Sequence, residues 1–414
     1  MPLRKATLLA LISFCAAAEP IIDGPYVLHQ DKTTQAIWVC DGDVKTITLT
    51  KGAKLTAPCG SVTGFALNAG NPIAPDRLPQ PKRWAAVSDI HGQATLFLSL
   101  LRAQKIIGAN NQWTFGKGVL VINGDVFDRG PQQTEALWAI YRLAQQAKAA
   151  GGSVQMVLGN HENMVLRGDL RYLSPKYEKV ARLVERTAPE LYGKDTELGR
   201  WLRSRATVLK LGDTLFVHGG ISPDLPKQAP ELAALNAKIR ARLSDSRDAL
   251  KDDPQASWLF ATDGPLWYRG YFKLPRASSA EIDALLKEFN VKRIVVGHTT
   301  RDEIVSLYGG RVIGIDADMK DGEPGELLLW EKNRLQRGLA DGSRKILPNG
   351  DDDGTTDQIF PDAEDRAAAA NAALPGLATV MLATSGLVAV AMPPAGVTAT
   401  VKVGAAALLV IVMA

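Results

Sequence analysis

Val119-Leu120-Val121-Ile122-Asn123-Gly124-Asp125-Val126-Phe127-Asp128-Arg129-Gly130 decides how the middle of this chain folds. Its aliphatic run reads as a short strand buried on both faces, and it ends in two carboxylates and a guanidinium. Pro131 then opens a helical stretch over residues 131–150. The pattern recurs on either side. Upstream, residues 84–89 form an apolar strand ending in Asp89, before helical periodicity over 94–107. Downstream, residues 154–158 lead into Gly159-Asn160-His161-Glu162. Asp89 lies 36 residues before Asp125, and Asn160 lies 35 after it, one βαβ repeat each. Later strands are expected at Thr214–Val217, Arg293–Val296, 311–315 and 326–330. Repeats of this length predict an α/β fold with a mainly parallel sheet covered on its faces. Strand C-termini line one edge of such a sheet, so groups distant in sequence converge there.

Around this core, 414 residues suffice for two or three domains. A hydrophobic fraction of 46% with 22% charged residues excludes global disorder and collagen-like repeats. The N-terminus has a basic start (Arg4, Lys5), an apolar run over 6–15 too short to span a bilayer, and small residues at Ala16 and Ala18. Residues 1–18 therefore read as a signal peptide, which makes the protein exported, periplasmic or extracellular. Losing Arg4 and Lys5 lowers the net charge from +4 to +2, too little to predict nucleic-acid binding on bulk charge. Cleavage also removes Cys15 and leaves Cys40 and Cys59, which read as a disulfide or as two reduced core cysteines.

Residues 19–70 form a small β-rich module with a hairpin turn at Asp41-Gly42-Asp43, and 71–82 a Pro-rich linker. The α/β domain occupies 83–335, with a charged helical insertion at 166–205, and 336–366 form a polar acidic linker. Residues 367–414 are an Ala/Val-rich hydrophobic tail. A membrane anchor through residues 368–414, a low-complexity tail and a helical packing element all fit its composition.

Four of the five histidines follow or end an expected strand: His91, His161, His218 and His298. His29, in the β module, reads as ordinary surface. Carboxylate, amide oxygen and imidazole suit two divalent ions such as Mn, Fe or Zn, and no thiolate is present to favour softer metals. Asp125 is the natural bridge, since one carboxylate can offer an oxygen to each ion. A water shared by two ions becomes a nucleophile near neutral pH, and both ions stabilise an in-line displacement at phosphorus.

These strand-end motifs, in order over residues 83–333, resemble the calcineurin-like metallophosphoesterases of the phosphoprotein phosphatase superfamily. Gly168 to Ser174, Gly199 to Ser204 and Gly264 to Tyr271 are similar to bacterial Shewanella-like protein phosphatases. The resemblance implies an αββα sandwich, with Asp89, His91 and Asp125 holding one metal and Asp125, Asn160, His218 and His298 the other. It makes His161 the general acid, oriented by Asp128, and gives phosphate binding to Arg129 with Asn160. Asp128 as a mere salt-bridge partner of Arg129 is the bland alternative. Glu162 reads as a supporting charge rather than a ligand.

Three departures stand out. Thr300 replaces the second histidine that many wider-family members carry after Gly-His-Thr. Leu158 stands where the eukaryotic Ser/Thr branch has an arginine before Gly-Asn-His-Glu, and Arg269 is the candidate replacement, or a structural Arg stacked on Trp267 and Tyr268. Residues 314–319 replace the usual SAPNYC-like segment. The expected activity is phosphomonoester hydrolysis on a phosphoprotein or phosphopeptide, with phosphotyrosine as in the resembling family. A hydrolase of small phosphate esters or dinucleoside polyphosphates is the alternative, and a non-catalytic envelope-binding protein is a reading of another class.

Overall fold

The structure is a computed structural model that describes residues 20–350, apart from 31–32 and 229–230, and two short strands near the C-terminus. The leader at 1–18 and almost all of the linker and tail beyond residue 350 lie outside the described residues. No helix among the described residues is long and apolar enough to cross a membrane.

β1 (Ile22–Gln30), β2 (Thr33–Cys40) and β3 (Asp43–Leu49) form an antiparallel sheet. Asp41 and Gly42 between β2 and β3 both take positive φ, as the tight primed hairpin turn requires. There follow β4 (Arg77–Leu78), β5 (Arg83–Val87), α1 (Ala94–Ala103), β6 (Val119–Asn123), α2 (Gln133–Ala149), β7 (Ser153–Val157) and α3 (Asn160–Leu166). The insertion contains α4 (Pro175–Leu183) and α5 (Glu197–Leu202), and leads to β8 (Val208–Leu211) and β9 (Thr214–Val217). After further helices come β10 (Arg293–Val296), β11 (Val305–Leu307), β12 (Val312–Gly314), β13 (Leu327–Glu331), β14 (Arg334–Gly338) and β15 (Arg344–Ile346). In the tail, β16 (Val401–Val403) pairs antiparallel with β17 (Ala406–Leu408).

Strand–helix spacing alone predicts one mainly parallel sheet, whereas the chain builds two mixed six-stranded sheets packed face to face. One runs β15-β14-β13-β5-β6-β7 and the other β11-β12-β10-β9-β8-β4. The alternation within single strands explains the packing. Trp84 and Ala86 join Phe216, Val295 and Ile313 in the layer between the sheets, while Ala85 and Val87 face the helix-side core. Trp84 meets Phe216 edge-on across that layer at 5.3 Å and stacks on Trp330 of the neighbouring strand at 6.3 Å. Two buried layers on one strand leave no polar face to reveal them in sequence. α1 stops at Ala103 rather than running to 107, and Lys105 just beyond it takes a left-handed φ.

The first sheet leans on α2. Tyr26 and Trp38 share a core with Trp138 and Tyr141, and the Trp138 indole donates to the Pro25 carbonyl at 2.9 Å. Cys40 and Cys59 are disulfide-bonded, with Cα atoms 5.8 Å apart. His29 is not free surface: its Nε2 lies 2.6 Å from Glu197 Oε2 of α5, tying the first sheet to the insertion.

Candidate active site

Every expected site residue except Arg269 lies in a turn or helix start that comes after a core strand, and all of them surround the same edge of the sandwich. Asp89 and His91 follow β5, Asp125 and Asp128 follow β6, Asn160 and His161 start α3 after β7, and His218 and His298 follow β9 and β10. Asp89, His91, Asp125, Asp128, Arg129 and His298 all take φ between 45° and 68°. Left-handed backbone is unfavourable for residues with a Cβ, and clusters of it mark sites held in place by their surroundings.

Local contacts account for that geometry. The His91 and Gly92 amides donate to the Asp125 and Val126 carbonyls at 2.9 Å, stitching the first two turns together. Glu162, fully buried, accepts from the amides of Asp125 (3.0 Å), Val126 (2.7 Å) and Gly159 (2.7 Å). One carboxylate thus fixes the turn that carries Asp125. Gly159 is required for close approach, because a Cβ there would lie 2.1 Å from Asp125 Oδ1. Gly297 is the counterpart beside Asp89, where a Cβ would lie 2.4 Å from Oδ2.

The side chains form two overlapping groups around Asp125. His91, Asp125 and His161 present ligand atoms within 4.8 Å of one another, and so do Asp125, His218 and His298. His218 Nε2 lies 3.1 Å from Asp125 Oδ2 and 2.9 Å from Asn160 Oδ1. Asp89 Oδ1 is 3.8 Å from His91 Nε2, while Asp89 Oδ2 accepts the His298 amide at 3.0 Å. His91 Nδ1 faces the Phe127 carbonyl and His218 Nδ1 the Asn123 carbonyl, each at 2.8 Å. A carbonyl can only accept, so each Nδ1 carries a proton and each Nε2 is the nitrogen turned towards the cluster. This donor set of carboxylates, an amide oxygen and imidazoles fits two divalent cations.

The electrostatics point the same way. Burial and the neighbouring Asp316 hold the Asp89 carboxyl well above the usual range. Burial would lift Asp125 too, but His218, His161 and His91 outweigh it and hold it well below. Burial and His161 press the His91 imidazole down to about 3, and burial with Arg269 keeps His298 well below its ordinary value. Against burial, Asp125 and Asp89 lift His218 to about 10. A buried cluster that strains its own charges in opposite directions is what cationic ligands would relieve.

Beside the cluster, His161 Nδ1 lies 2.6 Å from Asp128 Oδ2, and the His161 amide donates to Asp125 Oδ1 at 3.0 Å. Burial raises the Asp128 carboxyl despite that contact with His161. Arg129 is exposed, with its guanidinium 4.1 Å from the Tyr172 ring centroid. Arg269 Nε donates to His298 Nε2 at 3.1 Å, so this arginine does reach the cluster, and Trp267 meets the His298 ring edge-on at 5.6 Å. Sequence reasoning missed several contributors. Tyr172 supports Arg129 from the insertion. Asp316 lies two residues beyond β12 and accepts the Thr300 hydroxyl at 2.7 Å, and its place just after a strand was the available signal. Gln133 accepts the Asp128 amide at 3.1 Å and donates to the Tyr192 hydroxyl at 3.1 Å. That hydroxyl lies 3.1 Å from Thr134 Oγ1, which reaches Asp23 of β1, so a polar chain links the first sheet to Asp128.

Two mixed sheets under helices, with an Asp-centred double ligand set at one edge, define a metal-dependent phosphoric ester hydrolase. The calcineurin-like phosphoesterase family profile matches residues 82–302, and the chain belongs to that family. A cold-active protein-tyrosine phosphatase of a psychrophile, Shewanella sp., is similar in structure, with 44% sequence identity and a TM-score of 0.76 over 79% of this chain and 99% of that one. Shewanella-like protein phosphatase 1 of Plasmodium berghei is 29% identical over 247 residues, 56% of this chain and 66% of its own length. Shewanella-like protein phosphatase 2 of Arabidopsis thaliana is 24% identical over 312 residues, 63% of this chain and 78% of its own.

Proposed function

We propose that this chain is an exported phosphomonoesterase acting on phosphorylated protein or peptide, with phosphotyrosine as the preferred residue. The observation that carries the reading is the His161–Asp128 pair set against the Asp125 cluster. Asp89, His91 and Asp125 would hold one cation, and Asp125, Asn160, His218 and His298 the other. Bound there, two divalent cations would neutralise phosphoryl oxygens and ease deprotonation of a water. Asp128 holds His161 Nδ1, which leaves Nε2 to give its proton to the departing oxygen as the P–O bond breaks. Arg129, Arg269 and Asn160 would orient the remaining phosphoryl oxygens, the arginines through their planar forks.

An aryl leaving group suits an entrance that already holds Tyr172 and Trp267 rings, and the 44%-identical Shewanella phosphatase is named for tyrosine. Export is supported by the leader sequence and by the Cys40–Cys59 disulfide, which persists in oxidising compartments. The test is a panel of phosphotyrosine peptide, phosphoserine peptide and diadenosine tetraphosphate with added Mn, run on the parent and Asp125→Asn. A clear phosphotyrosine preference that collapses in the variant is expected. Preference for the dinucleotide would replace the substrate class, and bound metal without turnover of any member would overturn the catalytic reading. Fractionation of cells making the full chain tests export.

A further inference from the structure

A cavity of mixed lining lies beside β7, the edge strand of its sheet, and none of the catalytic cluster lines it. Its volume is about 690 Å³, within the range of small-molecule sites. The Pro-rich segment before β4, the end of α2, the start of β7 and the turn after α5 enclose it. Asn71, Gln145, Lys148, Gln155, Trp201 and Arg205 supply its polar and aromatic lining, and no Asp or Glu does.

Arg205 is the anomaly. Its side chain is buried at 8% exposure. Nε donates to the Trp201 carbonyl at 3.2 Å and to Ser204 Oγ at 3.3 Å, and Nη2 donates to Ser204 Oγ at 2.8 Å and the Pro72 carbonyl at 3.4 Å. The guanidinium also lies 5.1 Å from the Trp201 ring centroid. Among the described residues no carboxylate pairs with it, and its Nη1 makes no hydrogen bond. Burial and the nearby Arg240 press its pKa down to about 10, more than Tyr141 raises it. Buried charges are ordinarily paired, because an isolated one loses hydration that nothing replaces. Among the described residues Lys148, exposed at the cavity rim, has no ion pair either, and Asn71 Oδ1 is a buried acceptor without a donor.

We infer that this cavity binds a small polar molecule through an oxyanion, a phosphate monoester or a carboxylate, held between Arg205 and Lys148, with Asn71 Oδ1 accepting from a hydroxyl or amide of the same molecule. The missing counter-charge is then the ligand's own. The Arg205 Nη1 group and an ammonium facing one oxyanion would give short charge-assisted hydrogen bonds. The site touches the catalytic edge through the backbone: the Ala206 carbonyl next to Arg205 accepts the Leu158 amide at 2.9 Å, two residues before Asn160. The inference does not depend on which phosphoester the enzyme cleaves.

Isothermal titration of the full, Mn-loaded chain with inorganic phosphate, glycerol 3-phosphate and malonate tests it, beside Arg205→Gln and Lys148→Gln. Expected is a binding event additional to the catalytic site, weakened at least tenfold in both variants. Lys148→Gln changes an exposed position, so it keeps the test open should Arg205→Gln fail to fold. Binding of malonate with phosphate competing assigns the oxyanion in general, phosphate compounds alone assign a phosphate ester, and malonate alone a carboxylate. A single phosphate site with no malonate binding, or a second site indifferent to both substitutions, would overturn the proposal.

Discussion

Gly159→Ala should disable the site without breaking the fold. The backbone there has φ of −100°, which alanine adopts freely, so the substitution acts only through its methyl group. That methyl would lie 2.1 Å from Asp125 Oδ1, 2.6 Å from the Asp125 amide nitrogen and 2.9 Å from Glu162 Oε2. Relief to an ordinary contact of about 3.5 Å requires the Asp125 carboxylate to retreat by more than ~1 Å and its backbone to give by about 1 Å, and misplacement of that size costs on the order of 100-fold in rate. The retreat also breaks the bond from the His161 amide to Asp125 Oδ1. We therefore expect p-nitrophenyl phosphate turnover about 100-fold below the parent. Elemental analysis after dialysis should find less bound Mn, and overpacking should lower stability by about 1–3 kcal/mol. An alanine variant that keeps full metal content and turns over within a few-fold of the parent would show that Asp125 has room to move and that the tight approach of Gly159 is incidental.

Asp128→Asn should lower turnover of phenyl phosphate by about 100-fold or more, because its leaving oxygen needs the His161 proton. p-Nitrophenyl phosphate, whose leaving group departs as the anion, should lose far less, and equal losses would remove His161 from the acid role. Gln133→Leu leaves the Asp128 amide without an acceptor, which should cost about 1–3 kcal/mol in chemical denaturation. It should also hurt phenyl phosphate more than p-nitrophenyl phosphate. Reducing the Cys40–Cys59 bond, which closes a separation of 19 residues, should cost about 3 kcal/mol in unfolding free energy. An unchanged denaturation midpoint with dithiothreitol would contradict this. Burial raises the Asp23 carboxyl above its ordinary value of 3.8, more than its Lys176 neighbour lowers it. The folded chain then holds that proton more tightly than the unfolded chain, a contribution complete below the unfolded value and lost as pH rises through the folded one. Relative to the parent, Asp23→Asn should gain stability from pH 4 towards neutrality, which denaturation series at the two ends would measure.

The residues that carry the fold and the chemistry were legible where local pattern and function coincide. β6 is a pure aliphatic run ending in Asp125, and its partners at Asp89 and Asn160 repeat at the same spacing, so their meeting at one edge follows from strand–helix topology. The division into two sheets followed from the family resemblance and not from the local pattern, because Trp84 and Ala85 are both apolar although they face different layers. β8, β14 and β15 escaped notice for a related reason: antiparallel additions to a sheet impose no strand–helix period. Arg269 reaches His298 from a loop 29 residues earlier in the chain, and only its arginine character hinted at this. The polar chain from Asp23 through Thr134, Tyr192 and Gln133 joins residues more than one hundred positions apart, and each member alone resembles an ordinary core tyrosine or helix-start polar group. His29 illustrates the same limit, since its partner Glu197 lies 168 residues away.

The left-handed turns at Asp89, His91, Asp125, Asp128, Arg129 and His298 carry a consequence for any attempt to improve this protein. Each non-glycine residue in that conformation works against folding by about 1–2 kcal/mol. Glycine at the same positions would release the strain and delete a side chain that the proposed mechanism uses as a ligand, as the acid's partner or as a phosphate contact. A selection for thermal tolerance alone would be drawn to these residues, and the variants it favoured would be sturdy and inert. Useful hardening has to come from elsewhere, in the first sheet, the insertion or exposed loops, with turnover selected alongside stability.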